Sequence, residues 1–124
     1  MKFKTNTGIY ILGLALSFLP LISKAKATDY DTATLAGGCF WCTESDLEKL
    51  PGVIAVESGY AGGMLENPSY KQVSSGKSGH IEVINVTYDT SQLNYEQILD
   101  QFFRHIDPTD NKGSFVDRGP QYRH

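Results

Sequence analysis

The chain has 124 residues, 11 of them basic and 14 acidic, with 40% apolar side chains and two cysteines. Four of the basic residues and none of the acids lie in the first 27, so the remainder sets seven cations against fourteen anions. An acidic surface with no basic stripe argues against nucleic acid and anionic membranes as partners, and one C-x-x-C without a second such pair or paired histidines falls short of the roughly four ligands of a zinc site.

Lys2 and Lys4 precede an apolar run from Gly8 to Ile22, and Ala25-Lys26-Ala27 follows it. This is the layout of a secretory signal: a basic n-region, an h-region too short to span a bilayer, and a small-residue cleavage site. The expectation is a signal peptide over 1–27, export to the periplasm or another extracytoplasmic compartment, and one domain over 28–124. Thr32 to Ala36 is β-prone and apolar, a first strand. Gly37-Gly38-Cys39-Phe40-Trp41-Cys42 then turns into a helix from Phe40 to Leu50, stopped by Pro51-Gly52. Val53 to Val56, rich in β-branched residues, is a second strand.

Gly59 to His80 is rich in Gly, Ser, Asn and Pro and carries Tyr60, Tyr70 and His80. So long a loop without structure of its own is uncommon and favours function. Ile81 to Tyr88 alternates as a third strand, with Glu82, Ile84, Val86 and Tyr88 on one face. The glycosylation sequon Asn85-Val86-Thr87 falls inside it and carries little weight. Tyr95, Ile98, Leu99, Phe102, Phe103 and Ile106 keep one helical face over Asn94 to Ile106, which Asp107-Pro108 ends. Thr109 to His124 reads as coil. The order β-α-β-β-α implies an α+β fold, a two-layer α/β sandwich with a ferredoxin-like split β-α-β core. That plan calls for one more strand, so the domain over 28–124 is expected to be incomplete at its C-terminal end.

Cys39 is the candidate nucleophile. A helix N-terminus favours thiolate over thiol, the two glycines before it allow a sharp turn, and Phe40 and Trp41 offer an apolar wall beside the sulfur. Glu82 is the candidate acid, because burial on an apolar strand face raises a carboxyl pKa and keeps its proton available near neutral pH. Cys42 lies three residues after Cys39 and can meet it across the first helical turn; redox chemistry suits the pair better than a structural bridge, which usually joins distant segments. Tyr70 and Tyr122 offer hydroxyls. Asp117 beside Arg118 reads as an ion pair. Glu44, Asp46 and Glu48 suit the start of a helix dipole, although their charge opposes a thiolate nearby.

The chain resembles the peptide methionine sulfoxide reductases of the A type. The resemblance is carried by Gly38-Cys39-Phe40-Trp41 with Glu44, Gly59-Tyr60-Ala61-Gly62-Gly63, Asn67-Pro68-Ser69-Tyr70, Gly79-His80-Ile81-Glu82, Asp107-Pro108, Asp117-Arg118-Gly119 and Gln121-Tyr122-Arg123, in order and in register. It implies that Cys39 attacks the sulfur of methionine sulfoxide, free or in proteins. Phe40 and Trp41 would enclose the sulfoxide methyl and select the S epimer. Glu82 would protonate the sulfoxide oxygen, Tyr70 and Tyr122 would hydrogen-bond it, and Asp117 would help position the site. The product is methionine plus a cysteine sulfenic acid; Cys42 would resolve it, and a thioredoxin-like dithiol donor would reduce the disulfide. No metal or organic cofactor is implied, and a monomer is expected. Three positions depart from the usual pattern: Cys42 where many relatives have glycine, Val116 where relatives with that cysteine often carry another, and His124 in place of a serine. Two other readings of the residues stand beside this one. One is a thioredoxin-like disulfide oxidoreductase using Cys39 and Cys42 directly. The other is a non-catalytic binding module in which the pair is structural.

Overall fold

The computed structural model describes residues 27–124, so the expected signal segment lies outside the described residues but for Ala27. The elements run β1 (Tyr30–Leu35), α1 (Phe40–Leu47), β2 (Val53–Ala61), α2 (Tyr70–Ser74), β3 (Ile81–Asp89), α3 (Tyr95–Phe103), β4 (Gly113–Ser114) and β5 (Asp117–Arg118), with a terminal 3-10 turn at Pro120–Tyr122. β3 is the centre of the sheet, whose order is β1-β3-β2. Both neighbours run antiparallel to it. β1 and β2 are therefore parallel to each other, and α1 crosses from one to the other.

The alternation of β3 explains its central place. Glu82, Ile84, Val86 and Tyr88 are all buried, while Ile81, Val83, Asn85 and Thr87 on the other face are only half so. Leu35 of β1 sits opposite Ile84, Ala33 opposite Val86, and Val56 of β2 opposite Val86. Phe40 and Leu47 of α1 and Ile98 and Phe102 of α3 complete one core over that face. Burying four such side chains is worth about 1.5–3 kcal/mol each.

Several boundaries differ from expectation for physical reasons. β2 continues to Ala61, because Glu57 to Ala61 pair with Asn85 to Ile81 and cross-strand pairing overrides the weak propensity of Ser58-Gly59. The expected long loop is thus interrupted at both ends, and α2 occupies its middle. Ser69 starts α2 with a capping box: its hydroxyl accepts from the Gln72 amide while its own N–H donates to Gln72 Oε1 at 2.8 Å. α1 stops at Leu47, with residues 48–50 in turns. α3 is capped by Asn94 with Gln97 in the same reciprocal way. Its apolar stripe is narrower than the sequence spacing implied: Ile98, Phe102 and Ile106 are buried, but Tyr95 and Phe103 are 49% and 51% exposed. The C-terminal segment is not coil. β4 pairs with β5, and the terminal turn packs back on the site.

Candidate active site

The site is built on the turn from β1 into α1. Gly38 has φ +78°, and a Cβ there would lie 2.7 Å from the Cβ of Ser114 on β4. Only glycine allows both the left-handed backbone and that approach. The Gly38 N–H donates to the Tyr122 carbonyl at 3.2 Å, which ties the terminal turn to the same spot. Cys39 follows as the N-cap of α1, with extended backbone and no side-chain capping bond. Its carbonyl takes the Cys42 and Thr43 amides at 3.1 and 3.3 Å. The thiol is left partly exposed over the helix start, where free N–H groups and the dipole favour negative charge.

One of those N–H groups is spent on Glu82. The Phe40 amide donates to Glu82 Oε2 at 3.0 Å in a buried bond spanning 42 residues of sequence. Glu82 is 2% exposed. Burial holds its carboxyl above the ordinary glutamate range; the Phe40 N–H pulls it partly back and the charge of Asp117 pushes it up again. With Oε2 committed to an acceptor role, Oε1 is the atom that can carry the proton.

Four aromatic rings wall the space beside these two groups. Phe40 lies 5.2 Å from Trp41 and 5.5 Å from Tyr60, centroid to centroid. Trp41 stacks on Tyr70 at 5.2 Å and 22°. Trp41 and Tyr70 are exposed and form the outer rim, whereas Phe40 is buried. Tyr122 comes in from the terminal turn. Its phenol is raised by burial and then by the charge of Glu82.

Cys42 is exposed one turn along α1. Its thiol is pushed up by desolvation and then by the charge of Cys39, to which it hydrogen-bonds; Asp117 and Asp46 add to the effect. Asp117, on β5, thus acts electrostatically on Glu82, Cys42 and Tyr122. The expected Asp117–Arg118 ion pair is not formed: successive strand residues point to opposite faces, and the Arg118 guanidinium reaches Asp110 instead. The acids of α1 fall beyond its first turn. Glu44 accepts a hydrogen bond from the Ser58 hydroxyl, and Asp46 engages His105 at 3.0 Å and Lys49 at 3.5 Å.

The structure therefore gathers Cys39, Phe40, Trp41, Cys42, Tyr70, Glu82, Asp117 and Tyr122 at one end of the sheet. Two residues that the sequence left unassigned join them. Tyr60 is the cross-strand partner of Glu82. His80 accepts the Gly63 N–H on Nδ1 at 3.2 Å and bonds the Leu65 carbonyl through Nε2 at 2.9 Å, fixing the loop that leads to Tyr70. Their signal was the sequence pair Gly-Tyr and Gly-His, which gains meaning only once β2 reaches Ala61. Among the described residues no group of three His, Cys, Asp or Glu side chains is placed to hold a metal ion. A separate cavity of about 500 Å³ is lined by Asn111, Lys112, Arg118, Gly119, Pro120 and Arg123 and shares no residue with this cluster.

A family model described as peptide methionine sulfoxide reductase matches residues 31–124. The chain belongs to that family. It is similar to the peptide methionine sulfoxide reductase MsrA/MsrB of Vibrio cholerae, 69% identical over 104 residues that are 84% of this chain and 28% of that protein. It is also similar to the peptide methionine sulfoxide reductase MsrA 2 of Caulobacter vibrioides, 49% identical over 116 residues, 93% of this chain and 59% of that one. Among solved structures, methionine sulfoxide reductase A of Corynebacterium diphtheriae superposes with a TM-score of 0.72 at 32% identity, covering 76% of this chain and 44% of its own. The chain thus spans 28% and 59% of the two curated relatives. Its mixed α/β fold, a small antiparallel sheet with helices, is that of these structural neighbours.

Proposed function

We propose that this protein reduces the S epimer of methionine sulfoxide, free or in proteins, to methionine and so repairs oxidative damage. The observation that carries the reading is the Cys39 thiol at the start of α1 beside a buried Glu82 whose Oε2 is held by the Phe40 amide. Sulfoxide sulfur is a poor electrophile until its oxygen is protonated, and a buried carboxyl whose pKa burial raises is suited to supply that proton.

In this reading the Cys39 thiolate attacks the sulfoxide sulfur while Glu82 Oε1 gives its proton to the oxygen. The protonated oxygen then passes to the Cys39 sulfur as the new sulfur–sulfur bond and the substrate's S–O bond break. The substrate thus gains two electrons and leaves as thioether, while Cys39 loses two and holds the oxygen as a sulfenic acid. Glu82 is left as the carboxylate. Phe40 and Trp41 enclose the methyl and set the epimer. Tyr70 and Tyr122 hydrogen-bond the oxygen, and Asp117 keeps the neighbouring proton on Glu82 by its charge. Cys42 then attacks the sulfenic sulfur, water departs, and a Cys39–Cys42 disulfide forms. A thioredoxin-like dithiol donor reduces it by exchange. The electrons come from thiols throughout, so no metal or organic cofactor enters.

The same proposal covers export by the segment over 1–27, action outside the cytoplasm, a monomeric state, and a ferredoxin-like plan for the sheet. Support for export is the basic start and apolar run of the sequence. Support for the sheet plan is the parallel pair β1 and β2 split by β3. The test is single-turnover reduction of methionine-S-sulfoxide by the whole protein. Cys39→Ser is expected to make no methionine even once; product from that variant would refute the assignment.

A further inference from the structure

Tyr60 stands opposite Glu82 in the β2–β3 register, so both side chains leave the same face of the sheet. Its ring packs 5.5 Å from Phe40, the residue whose amide holds Glu82 Oε2. Burial raises the Tyr60 phenol, and the charges of Glu82 and then Tyr70 raise it further. No ion pair among the described residues includes Glu82. The proposed reductase step leaves a negative charge on a carboxyl that is 2% exposed. A single amide is a thin reception for it, since buried charge is costly without several donors.

We propose that Tyr60 is a positioning residue whose hydroxyl donates to the Glu82 carboxylate as it forms, acting through Glu82 rather than on the substrate. The step is balanced as written above: the proton moves from Glu82 to the sulfoxide oxygen, and the Tyr60 hydrogen stays on its phenol as a hydrogen bond. The groups that act on Glu82 are the Phe40 amide on α1 and the charge of Asp117 on β5; Tyr60 on β2 and Tyr122 in the terminal turn feel its charge, and Tyr70 on α2 acts on Tyr60. Of these, Phe40, Tyr60 and Tyr122 are donors able to stabilise the anion.

This inference rests on the proposed reductase reading, and the experiment separates the two. Wild-type protein is first shown to reduce methionine-S-sulfoxide in a single turnover; absence of turnover there refutes the function itself. Tyr60→Phe keeps the ring against Phe40 and removes only the hydroxyl. The reductase step is expected to slow by about 10–100-fold, the scale of a lost hydrogen bond to a charged group, with sulfoxide affinity and thermal midpoint unchanged. Because the lost donor stabilises the carboxylate, the Glu82 pKa rises further, and the alkaline limb of the rate profile moves to higher pH. A loss of packing alone would not move that limb. An unchanged rate, or a slower one with the limb in place, overturns the proposal; weaker sulfoxide binding with an unmoved limb overturns it too and makes Tyr60 a substrate contact.

Discussion

Replacing Glu82 by glutamine removes one proton and little else. The amide oxygen can take the Phe40 N–H that Glu82 Oε2 accepts now at 3.0 Å, so the start of α1 stays in place. General acid catalysis by a positioned group contributes ~10²–10⁴-fold, or about 2.7–5.5 kcal/mol of the barrier. Glu82→Gln should slow the reductase step by that factor with sulfoxide binding intact. The assay is single-turnover mixing with excess methionine-S-sulfoxide, quenching, and counting methionine; quenching of Trp41 fluorescence reports binding. Wild-type rate should fall as pH rises through the raised Glu82 pKa, and the variant should lack that limb. Stability moves in a related way. The folded carboxyl holds its proton more tightly than the unfolded one, whose ordinary pKa is 4.5. Wild-type stability is therefore greatest while both are protonated and declines as pH climbs from that value through the raised folded pKa. The variant escapes the decline, so its thermal midpoint should gain on wild type as pH rises above the ordinary glutamate value. A reductase rate within about threefold of wild type, with binding preserved, would refute Glu82 as the acid.

Cys42→Ser should yield one methionine per protein and then stop with a thioredoxin-like donor present, leaving a sulfenic acid on Cys39 that a cyclic diketone traps for mass spectrometry. Sustained turnover would remove Cys42 from the cycle. Gly38→Ala must adopt a left-handed backbone and displace Ser114 from 2.7 Å, at a combined cost of about 2–4 kcal/mol. Urea unfolding measures it, and a loss under about 1 kcal/mol would mean that the turn rearranges freely. The same substitution should lower turnover, because the Gly38 N–H holds the Tyr122 carbonyl.

The placement of the candidate residues was more legible than the boundaries of the elements. Cys39 and Glu82 were readable because each is marked by local pattern, one by a glycine turn into a helix and the other by strict alternation. α2 was hidden in a Gly- and Ser-rich stretch, and only the Ser69–Gln72 cap that spans it gives it away. β4, β5 and the terminal turn have almost no propensity of their own; they are ordered by long-range contacts such as the Gly38 N–H to the Tyr122 carbonyl, which no local window contains. The Asp117–Arg118 pairing failed because adjacency in sequence is separation in a strand. Tyr60 was missed for a related reason. Its role depends on register, and register is a property of two strands: a β2 ending at Val56 leaves Tyr60 in a loop, whereas a β2 that follows β3 down to Ala61 sets it opposite Glu82. The alternation that buries Glu82 commits β3 to the middle of the sheet, a central strand pairs along both edges, and that pairing is what draws the Gly59-Tyr60 segment into the site.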